Sequence, residues 1–191
     1  MNDQLQTVVD EFDSARTRLN ALAQDVPGDG WVRRPDAARW SVAECIAHVN
    51  LTSRAFLPLL RDAIARARRR PAAGAGRYRR DFFGWLLWKT SGPPARIRVK
   101  TTAAFVPAGT DPPDLLVAAF NELQARQVEC VRDCSGLAID RVKVTSPFDA
   151  RVKYNLFACL TILPRHQHRH LWQAEQAWKT LQPFLQQRQV Q

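Results

Sequence analysis

The sequence predicts an all-α protein, a four-helix bundle with a long connection between its second and third helices. Two observations predict this fold. Four long segments repeat apolar residues at the 3.6-residue spacing of an amphipathic helix, and connections of unequal length separate them. A chain of 191 residues is long enough for one well-buried core and short for two, so one domain over 1–191 is expected. The helices are predicted at about 3–24, 42–68, 113–134 and 155–185, with 71–112 as a connecting insertion.

The first two helices have clear ends. The first has a polar face opposite its apolar one, and it stops near the proline and glycines of "VPGDG", residues 26–30. Its apolar positions are Leu5, Val8, Val9, Phe12, Ala15, Leu19 and Leu22. The second begins with Ser41, three residues before Glu44, which is the spacing of a capping box. Pro58 lies inside this second helix and is a candidate for a bend.

The stretch between the second and third helices has two features. "DFFGWLLWKT", residues 81–90, is apolar and aromatic and predicts a short helix laid across the bundle, while "RIRVKTTAAFVP", residues 96–107, has an extended pattern. The aromatic residues are expected to pack on the long helices, because large apolar patches are rarely left bare, and an exposed patch that touches a membrane is the less favoured alternative. The apolar stretch 82–88 also makes a homodimer plausible.

The second half of the chain contains the other two long helices. The third helix ends at the signal given by Gly136, and a short extended link with a turn at "SPFD" follows it. Pro164 lies inside the last helix. A kink or a new first turn is therefore expected just before the histidines of that helix.

Composition limits the class of protein. The N-terminal segment has acidic residues and no apolar core of signal-peptide length, and no run of eighteen apolar residues occurs, so a cytoplasmic protein without a membrane partner is expected. The four cysteines are expected to be reduced thiols. The net charge of +10 suits a polyanionic partner. Basic runs such as residues 66–80 are more often solvated helix ends, however, so nucleic-acid binding is disfavoured.

Three of the four histidines lie within six positions of the last helix. His166 and His170 are four residues apart, about 40° around the helix axis, so both imidazoles can reach one ion at about 2.0 to 2.1 Å. His168 is about 200° around the helix from His166 and is expected to point outward, with Arg165 and Arg169 as surface neighbours.

The remaining histidine, His48, lies near the middle of the second helix among apolar residues. An imidazole buried there needs a polar partner. With His166 and His170 it makes a three-histidine set with open coordination positions, which is typical of a catalytic metal site. The alternative is a core histidine with its own hydrogen-bond partner and an HxxxH pair that arose by chance.

Two stretches of the chain resemble the motifs of a known family. "WSVAECIAHVN", residues 40–50, is similar to the second-helix motif of the DinB/YfiT-like superfamily, and "HQHRHLWQAEQ", residues 166–176, is similar to its last-helix motif. The link "VKVTSPF", residues 142–148, also resembles a DinB-like subgroup, whereas residues 71–100 match least. The resemblance implies a four-helix bundle that binds a divalent ion, usually zinc or nickel, through His48, His166 and His170. It also implies that Gln173 lies beside the metal pocket.

Two further residues are candidates for the surroundings of the metal. Glu44, one turn before His48, is placed to hydrogen-bond an imidazole N–H, although the capping box is the simpler role. Cys45 is a candidate fourth ligand or redox neighbour, although a small buried apolar role is favoured.

The resemblance implies a choice among related functions. Family members of known activity are mostly thiol-dependent transferases that use bacillithiol, mycothiol or glutathione, so a small-molecule substrate and a low-molecular-weight thiol are the expected partners. A metal-dependent hydrolase and a metal-binding or interaction module without catalysis remain as alternatives. A nucleic-acid or anionic-surface binder is the least favoured, and whether the protein is an enzyme stays open.

Overall fold

A computed structural model of the chain describes residues 2–72, 76–94 and 101–188. Its helices are α1 (Asp3–Asp25), α2 (Gly28–Val32), α3 (Val42–Arg68), α4 (Phe82–Thr90), α5 (Pro113–Arg132) and α6 (Leu156–Arg188). Two short strands, β1 (Lys143–Thr145) and β2 (Lys153–Asn155), pair antiparallel with Val144 opposite Tyr154. The prediction of an all-α fold with four long helices is confirmed, and within the described residues the helix bounds differ from the predicted ones by at most a few positions.

The four long helices form the bundle. Both α1 and α3 contact α5 and α6, so α1 and α3 lie diagonally opposite each other. The inward face of α1 consists of the seven apolar residues that the spacing predicted. Two adjoining hydrophobic clusters fill the interior, one around Phe12, Leu60 and Leu160 and the other around Ile46 and Leu171. Burial of these apolar side chains is the main term that holds the helices together.

Local signals set the helix ends. Ser41 and Glu44 form the predicted capping box: the Ser41 hydroxyl accepts from the Glu44 backbone N–H, and the Glu44 carboxylate accepts from that of Ser41. Helix α3 runs through Pro58 without a break. Helix α6 likewise continues across Pro164, so no new helix begins there and the histidines belong to one continuous helix.

The helix α2 was not predicted, because five residues are too few to show a period. Its Trp31 is 2% exposed, and the indole N–H donates to the Val26 carbonyl at 3.1 Å. A Cβ at Gly30 would lie 2.9 Å from the Trp178 ring, so a glycine is needed where α2 meets α6. Helix α2 covers the end of the bundle at which α3 begins.

The long connection is only partly as predicted. Residues 81–90 supply the expected short helix, α4. The extended pattern expected over 96–107 is wrong at Ala103–Phe105, which form a 3₁₀ turn, whereas Thr102 and Val106 on either side have extended backbone; residues 95–100 lie outside the described part of the chain. The extended link predicted over 139–148 is extended at Val142–Thr145, whereas Ile139–Arg141 form a 3₁₀ turn, and the pairing of β1 with β2 was not foreseen. Among the described helices, none has the length and apolar character needed to cross a membrane.

Candidate metal centre

Three histidines from two helices meet inside the bundle. His48 of α3 has its ring centroid 4.4 Å from that of His170 and 5.3 Å from that of His166, both on α6. One nitrogen from each ring can be chosen so that all three lie within 4.8 Å of one another. His48 and His170 are 2% and 7% exposed, and His166 is half-buried. The structure therefore brings together the three histidines that the spacing selected, and together they could hold a metal ion.

The ring of His48 is held by the backbone. Its Nδ1 lies 2.7 Å from the carbonyl oxygen of Phe105, and because a carbonyl only accepts, Nδ1 carries the proton and donates. The lone pair of the neutral ring is then on Nε2. Metal-binding histidines commonly donate their second N–H to a carbonyl or carboxylate, which fixes the tautomer and the ring orientation. This hydrogen bond thus leaves Nε2 of His48 as the available ligand atom.

The other two rings face each other through their Nε2 atoms, which are 3.1 Å apart. Two lone pairs at this distance repel each other unless a proton or a cation lies between them. Two ligands of one ion at about 2.1 Å each are separated by about 3 Å when they occupy neighbouring coordination positions. The separation of the His166 and His170 nitrogens therefore fits a shared ion, and the all-imidazole donor set suits zinc or nickel.

The three imidazoles are neutral near pH 7. Burial lowers the pKa of His166 to about 3, with further contributions from His48 and Arg169. Burial also lowers the pKa of His48 and holds that of His170 well below its usual range. Gln173 interacts with the His170 ring and raises its pKa, but this contribution is the smallest of those acting on His170. Neutral imidazoles are the form that binds metals, so little proton release is needed for binding.

Two aromatic side chains enclose the cluster. The Trp40 ring lies 5.1 Å from the His48 ring and 6.1 Å from that of His170, measured between centroids. Phe148 lies 6.2 Å from His166. Both rings place apolar surface beside the imidazoles, which lowers the local polarity and strengthens electrostatic interactions within the site. Sequence reasoning assigned neither residue to the site, although each lies in one of the stretches that resemble family motifs.

A buried amide ladder supports the last-helix histidines. Gln167, next to His166, accepts from the Gln124 amide at 3.0 Å and donates to the Gln127 side-chain oxygen at 2.9 Å. All three glutamines are at most 2% exposed. Since buried amides cost free energy unless they are paired, this ladder fixes the contact of α6 with α5 beside the site. The sequence analysis did not predict this ladder. The signal that could have indicated it was a pair of glutamines three residues apart on the inward face of α5.

The remaining candidates have other roles. Glu44 serves the capping box and forms an ion pair with Arg34, and no hydrogen bond between Glu44 and His48 occurs in the described residues. Cys45 is buried in the apolar cluster and outside the histidine cluster. Burial, and then the charge of Glu44, raise its thiol pKa to about 12, so Cys45 stays protonated.

His168 points away from the cluster, as predicted, but it is half-buried against α1 instead of lying on the surface. Its ring lies against α1, where Nε2 is 3.1 Å from the Glu11 carbonyl oxygen and Nδ1 is 3.3 Å from the Arg18 guanidinium. The physical reason is that α1 packs on α6 at this level of the bundle. His168 is therefore a half-buried interhelical residue and a suitable control for the other histidines.

Acid should destabilise the metal-free protein. The folded-state pKa of His166 is far below its ordinary value of 6.5, so the unfolded chain binds more protons than the folded one between about pH 6.5 and pH 3. The stability that the neutral ring contributes is complete above pH 6.5 and is lost as the pH falls toward 3. Urea unfolding in the presence of a chelator should give a lower midpoint at pH 5 than at pH 7. The decrease should be smaller in His166→Gln, and an equal decrease in both proteins would contradict this account.

Comparison with known proteins gives one match. The family model described as DinB superfamily matches residues 11–174, which include all three clustered histidines. Searches of curated proteins and of solved structures gave no match.

Proposed function

Since the chain belongs to the DinB superfamily, we propose that it is a metal-dependent thiol transferase, in which His48, His166 and His170 bind one divalent ion, zinc or nickel. The observation that carries the proposal is the convergence of three neutral, mostly buried imidazoles on one point. Three protein ligands leave at least one coordination position open, which is typical of catalytic sites and not of structural ones. When bound, such an ion favours the ionised form of a thiol at neutral pH.

The protein itself offers no reactive thiol. Its four cysteines are free and buried, and burial raises the pKa of every one of their thiols, to about 12 for Cys45 and Cys134. A thiolate is the nucleophile, and none of these side chains provides one near pH 7. A thiol nucleophile must therefore come from outside, which supports a low-molecular-weight thiol as cosubstrate.

The lack of a carboxylate base beside the described histidine cluster supports thiol transfer over hydrolysis. Hydrolysis at a metal centre commonly uses a carboxylate as general base for the attacking water. Among the described residues, no carboxylate joins the three histidines, and Glu44 is engaged by Ser41 and Arg34. A thiol, being more acidic than water, needs no such base. In the proposed reaction its proton goes to solvent, its sulfur forms a bond to the electrophilic carbon, and the leaving group takes the electron pair of the broken bond.

A cleft close to the histidines provides space for a small molecule. It has a volume of about 300 Å³, within the range of small-ligand sites, and is lined by Val32, Arg34, Ser41, Glu44, Pro107, Ala108, Gly109 and Thr110. None of the clustered histidines is among its lining residues, but two lining segments are near the site in sequence: Glu44 is one helical turn before His48, and residues 107–110 closely follow Phe105, whose carbonyl holds the His48 ring. Arg34 lies on the wall of the cleft and pairs with Glu44 through Nε and one Nη, and the remaining N–H groups of the guanidinium suit a carboxylate of the thiol.

A kinetic assay tests the proposed function. The zinc- or nickel-loaded protein should accelerate the reaction of monobromobimane with at least one of glutathione, bacillithiol and mycothiol above the uncatalysed rate. His48→Ala should lower the rate to background, and His168→Ala should retain it. Arg34→Ala should raise the KM for the thiol by about tenfold, the order expected for losing a hydrogen bond to a charged group, with a smaller effect on kcat.

Two outcomes would contradict the proposed function. A loaded protein that binds one ion per chain, yet reacts no faster than background with all three thiols, would overturn the transferase proposal while leaving the metal site intact. Acceleration that persists in the metal-free protein would overturn the role of the ion.

A further inference from the structure

The short helix α4 turns an apolar face to solvent. Phe82 and Phe83 are 69% and 60% exposed, and Trp85 and Leu86 are 43% and 42% exposed. At 100° per residue these four positions cover about 160° of the helix, and Gly84, which is buried, lies opposite the middle of that arc. Large apolar side chains are rarely left together on a surface without a function.

The orientation of α4 is fixed from its inner side. A Cβ at Gly84 would overlap the Ala158 side chain, so the helix backbone lies directly on α6. Asp81 caps the first turn and pairs with Lys143. At the other end, Arg165 and Arg169 of α6 donate to the carbonyl oxygens of Trp88 and Thr90 at 2.9 and 3.1 Å. Because both ends and the inner face are held, α4 cannot rotate to bury its aromatic residues.

Apart from Asp81, which is paired with Lys143, the charges near this face are positive. Lys89 lies one turn after Trp85, with its ammonium nitrogen 5.2 Å from the centroid of the indole ring. Exposed Arg77 and Arg79 precede the helix, and the whole chain carries a net charge of +10. An aromatic face with basic side chains at its edge is the composition of helices that lie in the headgroup region of anionic bilayers.

The exposed area is small for a protein partner. Large side chains offer on the order of 150 to 250 Å² each, so four of them, about half exposed, present roughly 400 Å². One side of a stable protein interface usually contributes about 800 Å². A second copy would also bring its own basic residues against these, which is unfavourable. Area and charge together therefore disfavour self-association through α4.

We propose that α4 is a peripheral docking surface for an anionic lipid bilayer, into which Phe82, Phe83, Trp85 and Leu86 insert while Arg79 and Lys89 contact the lipid phosphates. The proposal is independent of the metal centre. It departs from the sequence-based expectation of no membrane partner.

Vesicle co-sedimentation of the full chain tests this surface. The wild type should sediment with phosphatidylcholine vesicles containing phosphatidylglycerol, and much less with phosphatidylcholine alone. The double substitution Phe82→Ser, Phe83→Ser should lower the partition coefficient by about tenfold or more, because it removes apolar area that the bilayer would bury. Phe184→Ser, at another exposed phenylalanine that is 62% exposed, should leave binding unchanged. Arg79→Gln with Lys89→Gln should weaken binding to the anionic vesicles only.

Two results would overturn the proposal. One is sedimentation of the wild type with neither kind of vesicle at low ionic strength. The other is a dimer in sedimentation velocity that the Phe82→Ser, Phe83→Ser variant abolishes, since a second copy would then cover the face. Because the substituted side chains are solvent-exposed, the variants should unfold at the same temperature as the wild type, and that measurement checks that any loss of binding is local.

Discussion

Replacing His48 with alanine should lower the affinity of the protein for zinc by at least about a hundredfold. Removing a residue that only hydrogen-bonds a metal ligand already lowers metal affinity by up to about a hundredfold, and the loss of a ligand itself should cost at least as much. The substitution takes away one of the three imidazoles that converge in the interior. His166 and His170 remain, but two ligands from one helix make a weak site. The affinity is measured by isothermal titration of zinc into chelator-treated protein.

The matched control for this experiment is His168→Ala. His168 lies on α6 between the clustered histidines in sequence, yet it contacts Glu11 and Arg18 on α1. Its removal should leave the zinc affinity within about twofold, because it contributes no ligand atom to the cluster. Equal losses in His48→Ala and His168→Ala would mean that the effect comes from disturbed packing and not from a lost ligand.

The Gln167→Leu substitution should lower the free energy of unfolding by about 2 to 6 kcal/mol, because each of two buried polar groups left without a partner costs about 1 to 3 kcal/mol. Leucine is similar in size to glutamine, but its side chain cannot form hydrogen bonds. The Gln124 amide then loses its acceptor, and the Gln127 oxygen loses its donor. The measurement is urea unfolding of the metal-free protein, which separates this effect from stabilisation by bound ion.

The matched control here is Gln6→Leu. Gln6 also donates a hydrogen bond, to Asp10 at 2.7 Å, but both side chains are exposed. Water replaces an exposed hydrogen bond at little cost, so the change in unfolding free energy should stay within about 0.5 kcal/mol. If Gln167→Leu is no more destabilising than Gln6→Leu, the buried ladder does not fix α6 against α5.

Features that depend on local pattern could be predicted from the sequence. The periodicity of apolar residues gave the four long helices, and the Ser41 and Glu44 spacing gave the capping box at the start of α3. The i, i+4 spacing of His166 and His170 put both rings on one side of α6, and His48 was the single histidine left to meet them. These signals lie within a few turns of one helix, where geometry follows directly from residue number.

Features that depend on distant contacts could not be predicted. The carbonyl that holds His48 belongs to Phe105, 57 residues away, and a backbone group leaves no trace in a residue pattern. The pairing of β1 with β2 joins strands of only three residues each, too short to show alternation. The exposure of α4 depends on which face Gly84 presents to Ala158, and the apolar sequence alone favoured burial of the aromatic residues over the exposure that is observed.

The central claim is that the three clustered histidines hold a divalent ion, and X-ray absorption spectroscopy of the zinc-loaded protein tests it most directly. The account predicts one zinc per chain and a first shell with three imidazole nitrogens at about 2.0 to 2.1 Å. The His168→Ala variant should give the same spectrum, because all the clustered rings remain. A protein that retains neither zinc nor nickel after supplementation, or a zinc shell without imidazole nitrogens, would contradict the claim.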